Sequence, residues 1–233
     1  MDALQADIAR EGLLVFFFGL VAQGIFQTRF YIQWLASERQ KKSIVPISFW
    51  YLSSVGTLML LTFAAITHSA VGALSNGLNI VIYARNLVHI WRNQGRLSKR
   101  MHTFIHVAVG VIAVIAVYVV IQVWLFKYHE TETVSPSEAR RTWFWLAIGA
   151  SGTLLFGSRF IIQWIATERA RASVIPTAFW YLSIGATVMQ LASYVQTQEW
   201  IFALGSVTAV IIYARNLWFV HQAGGETTAA GAD

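Results

Sequence analysis

Seven apolar runs, each roughly twenty residues or longer, succeed one another along the chain, separated by short polar stretches. They fall at about 12–36, 46–67, 70–91, 102–126, 142–166, 176–196 and 199–220, and each is long enough to cross a bilayer as a helix. The polar stretches between them are too short to build a soluble domain. The pattern predicts an all-α membrane protein with seven transmembrane helices.

Only 12% of the residues are charged against 56% apolar, about half the charged share of a typical soluble domain. The net charge of +6 sits in clusters, which points to a membrane rather than to nucleic acid. Arg39, Lys41 and Lys42 follow the first helix, Arg92, Arg96, Lys99 and Arg100 the third, and Arg169 and Arg171 the fifth. An odd number of helices with an outside N-terminus puts all three clusters on one side, and the positive-inside rule makes that side the cytoplasm. The expected setting is the bacterial inner membrane, N-terminus periplasmic and C-terminus cytoplasmic. The acidic start, "MDALQAD", lacks the basic flank of a cleaved signal. With no cysteine, no disulfide framework and no thiolate metal site is expected.

The chain repeats itself at a constant offset of 130. Arg29 to Ser53 and Arg159 to Ser183 are identical at 15 of 25 positions, and "IYARNL" recurs at 82–87 and 212–217. Such duplication changes the expected architecture. Each copy holds three helices (12–91 and 142–220), and the run at 102–126 stands outside both. Three crossings invert a second copy, and one extra crossing restores its orientation. The prediction is therefore a 3+1+3 arrangement of parallel triple-helix repeats, a recurring plan among transporters. The linking helix is mostly Val and Ile, with Tyr118 and Gln122 as its mid-span polar groups. His102 and His106 lie four apart at its inner end, without a third ligand to make a metal site.

Two motifs carry chemistry. In the first helix of each copy an arginine and a glutamine share a face four residues apart, Arg29 with Gln33 and Arg159 with Gln163. Arg29 stands eight residues before Ser37, roughly 12 Å along the helix. Snorkelling to the headgroups is one reading of so long a side chain. In the third helix of each copy "YARNL" adds Arg85 and Asn86, then Arg215 and Asn216. Four guanidiniums and four amides lining one shared cavity make sense only if an anion visits, and arginine's planar fork suits phosphate. All three aspartates are at the chain ends (Asp2, Asp7, Asp233), and Glu38 and Glu168 sit at the inner boundary beside cations. A lipid phosphate, able to enter sideways from the bilayer, is the expected ligand. Tyr83, Tyr213, Trp50 and Trp180 complete the expected substrate-binding set. Pro46 and Pro176 suit a first helical turn, with Ser43 and Ser173 as upstream caps. The aromatic runs Phe49–Tyr51 and Phe179–Tyr181 read as an interfacial belt or as a platform for a sugar.

The combination of "QWLASER" and "QWIATER", "SIVPISFW" and "SVIPTAFW", and the paired "YARNL" resembles the lipid A biosynthesis N-terminal domain family, related to PQ-loop and SWEET-type membrane proteins. The 3+1+3 plan is similar to that of the SWEET proteins. The resemblance implies a phosphate-bearing glycolipid of the bacterial envelope as ligand, such as a sugar on undecaprenyl phosphate, and a glycosyltransferase as partner. The leading expectation is a transporter or flippase for that lipid. Without an intramembrane carboxylate to carry protons, its movement is expected to be uncoupled. A non-transporting membrane partner that recruits a glycosyltransferase is the alternative. An enzyme is not expected, because the carboxylates that sugar-nucleotide chemistry gathers around a metal are missing and no cofactor is implied.

Overall fold

The computed structural model describes residues 12–40, 46–94, 99–170, 174–222 and 228–229. Among them are seven helices: α1 (Leu13–Gln40), α2 (Ile47–Ile66), α3 (Ala70–Asn93), α4 (Lys99–Glu132), α5 (Pro136–Ala170), α6 (Thr177–Gln196) and α7 (Trp200–Gln222). The fold is helical apart from one two-residue antiparallel pairing, Val174–Ile175 with Thr228–Ala229. The suggested caps Ser43 and Ser173 lie outside the described residues.

Among the described residues five helices are long and apolar enough to cross a membrane: α1, α2, α4, α5 and α7. The sequence pattern predicts seven such spans. The two that fall short, α3 and α6, carry polar groups in mid-helix, Ser75, Asn76 and Asn79 in one and Ser183, Thr187, Gln190 and Ser193 in the other. Most of these polar side chains are buried in the protein, so helix packing rather than lipid surrounds them. Helix α5 starts six residues earlier than its apolar run, because Ser135 and Glu138 form a capping box. Glu138 N–H donates to Ser135 Oγ at 3.4 Å and Ser135 N–H donates to Glu138 Oε2 at 3.1 Å.

The chain divides into two compact units, residues 1–33 with 46–139 and residues 34–45 with 140–233. In the first, α1 and α2 approach closely because Gly56 has no side chain. A Cβ there would stand 2.9 Å from the Phe26 Cα. The turn into α3 is tight. His68 takes a left-handed φ of 54°, Ser69 N–H donates to Ala64 O at 2.9 Å, and Ser69 Oγ caps α3 by accepting from Gly72 N–H. Helix α4 packs along α3, with Trp124 Nε1 donating to Ala70 O at 3.1 Å and Phe126 stacked on His68 at 3.7 Å between ring centres. Its other faces are apolar and exposed, as a lipid-facing helix requires.

The second unit repeats this construction. Gly152 lets α5 meet α6, where a Cβ would stand 2.8 Å from Ala186 O. The α6–α7 turn has Gln198 at φ 60°, and Glu199 N–H donates to Tyr194 O at 2.7 Å. His68 and Gln198 are separated by the repeat offset of 130. The duplication therefore preserves backbone geometry even where the side chain at a strained position changes.

Candidate functional site

In an α-helix the Cα–Cβ bonds tilt toward the N-terminus, so a long side chain lies over the turn that precedes it. Arg29 obeys this rule. Its guanidinium carbon sits 3.5 Å from the centre of the Phe26 ring, one turn back, away from the polar end of α1. Phe30, Phe49 and Tyr83 complete an aromatic surround at 4.6, 5.6 and 5.6 Å. Nη1 donates to Tyr83 OH at 2.9 Å and, more weakly, to Ser53 Oγ at 3.5 Å. The Ser53 hydroxyl gives its own proton to Phe49 O at 2.6 Å, leaving lone pairs for the arginine. The side chain is 5% exposed, so it does not snorkel.

Arg159 lies in the same setting in the second unit. Its guanidinium is 3.5 Å from the Phe156 ring centre, 4.8 Å from that of Phe179 and 5.7 Å from that of Tyr213. Nη1 donates to Ser183 Oγ at 2.9 Å, and Ser183 donates to Phe179 O at 2.6 Å. Desolvated cation–π contacts contribute on the order of 2 kcal/mol or more, and a hydrogen bond from a charged group about 1.5–3 kcal/mol. These offset part of the cost of burying a cation without removing its charge. Among the described residues no carboxylate contacts Arg29, and its buried Nε has no hydrogen-bond acceptor.

The other expected site residues are placed differently. Gln33 and Gln163 are half-buried one turn beyond the arginines. Asn86 and Asn216 spend an amide proton on their own helix, donating to Ile82 O at 2.8 Å and Ile212 O at 2.9 Å. Arg215 is exposed, whereas Arg159 is 7% exposed. The side chains of Arg85, His102, Glu38 and Glu168 lie outside the described residues. Trp50 packs against Tyr83 at 6.2 Å and Trp180 against Tyr213 at 6.3 Å, so these tryptophans face inward. Of each aromatic run expected at the interface only its tyrosine is exposed, Tyr51 accepting from Trp91 Nε1 at 2.7 Å and Tyr181 paired with His221 at 2.9 Å.

The sequence reading missed Ser53, Ser183, Phe26, Phe49, Phe156 and Phe179 as neighbours of the arginines. The signal was present: both copies read "FWYLS" at 49–53 and 179–183, and both have Phe three residues before the arginine. That spacing places Phe and Arg on adjacent turns of one face.

The paired arginines, their serines and their tyrosines all lie inside two stretches that match one known family, described as Lipid A Biosynthesis N-terminal domain, at residues 18–88 and 148–218. The chain belongs to this family, twice over. The two matched stretches are separated by the same 130 residues as the internal repeat. Curated relatives include lipid-A-disaccharide synthase of Chlamydia felis, 32% identical over 186 residues, covering 78% of this chain and 29% of the relative. Those of Chlamydia caviae and Chlamydia trachomatis are 28% identical over 209 residues and 29% identical over 184, covering 88% and 78% of this chain and 33% and 30% of theirs. The chain thus spans about a third of the length of the relatives it matches. No solved structure matches it. These relatives correct one expectation: the proteins that this chain resembles over most of its length are named as enzymes, so the absence of a carboxylate cluster among the described residues does not set it apart from an enzyme family.

Proposed function

We propose that this chain is a membrane-embedded component of lipid A disaccharide assembly that holds the phosphate of a glycolipid at its buried arginines. The observation that carries the reading is Arg29: a cation inside the first unit whose described partners are all neutral. A hydroxyl is a weak acceptor for a guanidinium, and a phosphate oxygen forms a shorter and roughly twice stronger bond. An arriving phosphate would displace Ser53 or Tyr83 from Nη1, and the ring faces of Phe26 and Phe30 would stay against the lipid chain. Arg159 with Ser183 repeats the arrangement, and Gln33, Gln163, Trp50 and Trp180 border the two sites. A glycosyltransferase acting on the held lipid is the partner, in keeping with the names of the relatives. The bilayer is the inner membrane, with the N-terminus periplasmic and seven crossings arranged as repeats 12–91 and 142–220 around the linking helix 102–126.

The test uses the full chain in nanodiscs with a photoactivatable glycolipid carrying one phosphate. Arg29→Met and Arg159→Met together should reduce labelling at least tenfold, and a phosphate-free analogue should neither label nor compete. Equal labelling by the phosphate-free analogue would end the reading. The duplication favours a second step, movement of the lipid between leaflets, because parallel repeats are a transporter plan. Liposomes containing the protein and a fluorescent polyprenyl-phosphate sugar should then lose their leaflet asymmetry faster than empty ones. An unchanged rate leaves the chain as a binding partner that presents lipid to a glycosyltransferase.

A further inference from the structure

The two units provide an internal control, since the same helix pair is built twice from different residues. On α2 the buried face below the arginine's serine reads Ser53, Thr57, Leu60, Phe63; on α6 it reads Ser183, Thr187, Gln190, Ser193. The first unit has the apolar Leu60 and Phe63 on α2, Phe63 packing against Gly19 on α1, with the buried Gln23 at the counterpart of Thr153. At the equivalent places the second unit has Ser193 and Gly149. Gln190 Nε2 donates to Thr153 Oγ1 at 2.9 Å, and Thr153 donates to Gly149 O at 3.1 Å. Ser193 is 0% exposed and its hydroxyl has no partner. A buried unpaired polar group costs about 1–3 kcal/mol; the first unit carries its own at Thr57 Oγ1, next to the arginine's serine, but has Phe63 and no polar group at the counterpart of Ser193.

We propose that Thr153, Gln190 and Ser193 form a hydroxyl-binding subsite within the second unit, taking sugar hydroxyls of the glycolipid whose phosphate Arg159 holds. The inference rests on the phosphate-binding reading above. The chemistry fits a sugar and not a second ion: the three groups are uncharged, and a hydroxyl or carboxamide both donates and accepts, as sugar hydroxyls do. The subsite begins seven residues along α6 from Ser183, roughly 10 Å at the helical rise, which leaves the phosphate and the sugar separate places. The first unit, with Leu60 and Phe63 at these positions, has no such subsite and does not discriminate between headgroups.

The experiment compares binding of two probes to the full chain in nanodiscs: a polyprenyl phosphate, and the same lipid with a hexose on its phosphate. The native protein should bind the hexose form at least tenfold more tightly. Gln190→Leu, and separately the milder Ser193→Ala, should bring that ratio below threefold while leaving binding of the bare phosphate lipid unchanged. Equal binding of both probes by the native protein overturns the subsite and leaves the phosphate reading intact. A parallel loss for both probes in the two variants also overturns it, because that marks the residues as packing alone. Binding of neither probe removes the phosphate reading, and the subsite with it.

Discussion

The first and second units share a backbone plan and differ in where they put their polar groups. In the first, buried amides sit on the first and third helices: Gln23 on α1, and on α3 Asn76, which donates to Gly72 O at 2.9 Å, and Asn79, 8% exposed. The second has Thr153, Ser206 and Ala209 at these positions and carries its buried amide, Gln190, on α6. The closest approach has also changed helix. Gly56 opens the first unit from α2, while Gly152 opens the second from α5, and their counterparts are Ala186 and Ala22. What stays fixed is the arginine with its preceding phenylalanine, its serine and its tyrosine. Packing can be solved in several ways with small and apolar residues, whereas enclosing a cation in a low-dielectric interior leaves few choices. The part that handles charge is therefore kept in both copies while the packing around it changes.

Four measurements press on this comparison, beginning with the strongest effect. Gly152→Ala forces a methyl against Ala186 O and should destabilise the protein by about 2–3 kcal/mol. Gly157→Ala, in mid-helix with nothing within 4 Å of the new atom, should stabilise by about 0.5–1 kcal/mol through helix propensity; denaturant unfolding in mixed micelles reads both. Similar costs for the two would remove the claim that glycine sets the α5–α6 spacing.

Next come the hydroxyls around the arginines. In the first unit Tyr83→Phe should cost about 1.5–3 kcal/mol and Ser53→Ala less than about 1 kcal/mol, following the 2.9 and 3.5 Å distances to Arg29. In the second unit Ser183→Ala should cost as much as Tyr83→Phe. If Ser53 proves the costlier residue in the first unit, the two cages are more alike than their distances indicate.

A double-mutant cycle isolates the polar pair of the second unit. Thr153→Val alone strands the Gln190 amide and should cost about 1–3 kcal/mol. Adding Gln190→Leu should recover most of that loss, because both partners are then apolar. Additive losses in the unfolding free energies would show that the pair is not coupled.

The smallest effect concerns the two left-handed turns. A non-glycine residue there costs about 1–2 kcal/mol, so Gln198→Gly, at an exposed position, should stabilise by up to about 1 kcal/mol. His68→Gly should give less, since it removes the stack on Phe126, a contact worth about 0.5–1.5 kcal/mol. Equal stabilisation of the two variants in thermal unfolding would show that the ring stack carries no energy.

The arginine pair, its tyrosines and the number of helices were legible in the chain itself. Apolar runs of membrane-spanning length and a 130-residue repeat leave little freedom in the count of helices, and an arginine inside an apolar helix announces itself by its insertion cost. The direction in which Arg29 points was not legible, because snorkelling and burial use the same residue at the same depth. Tertiary contacts decided it: Phe26 lies one turn back on the same helix, but Ser53 and Tyr83 reach the guanidinium from α2 and α3, 24 and 54 residues away. Likewise the aromatic runs at 49–51 and 179–181 were open between an interfacial belt and a platform for a sugar, and only packing against Tyr83 and Tyr213 shows that Trp50 and Trp180 turn inward. Periodicity fixes what one helix does with its own faces; which neighbour meets each face is a property of the assembled bundle.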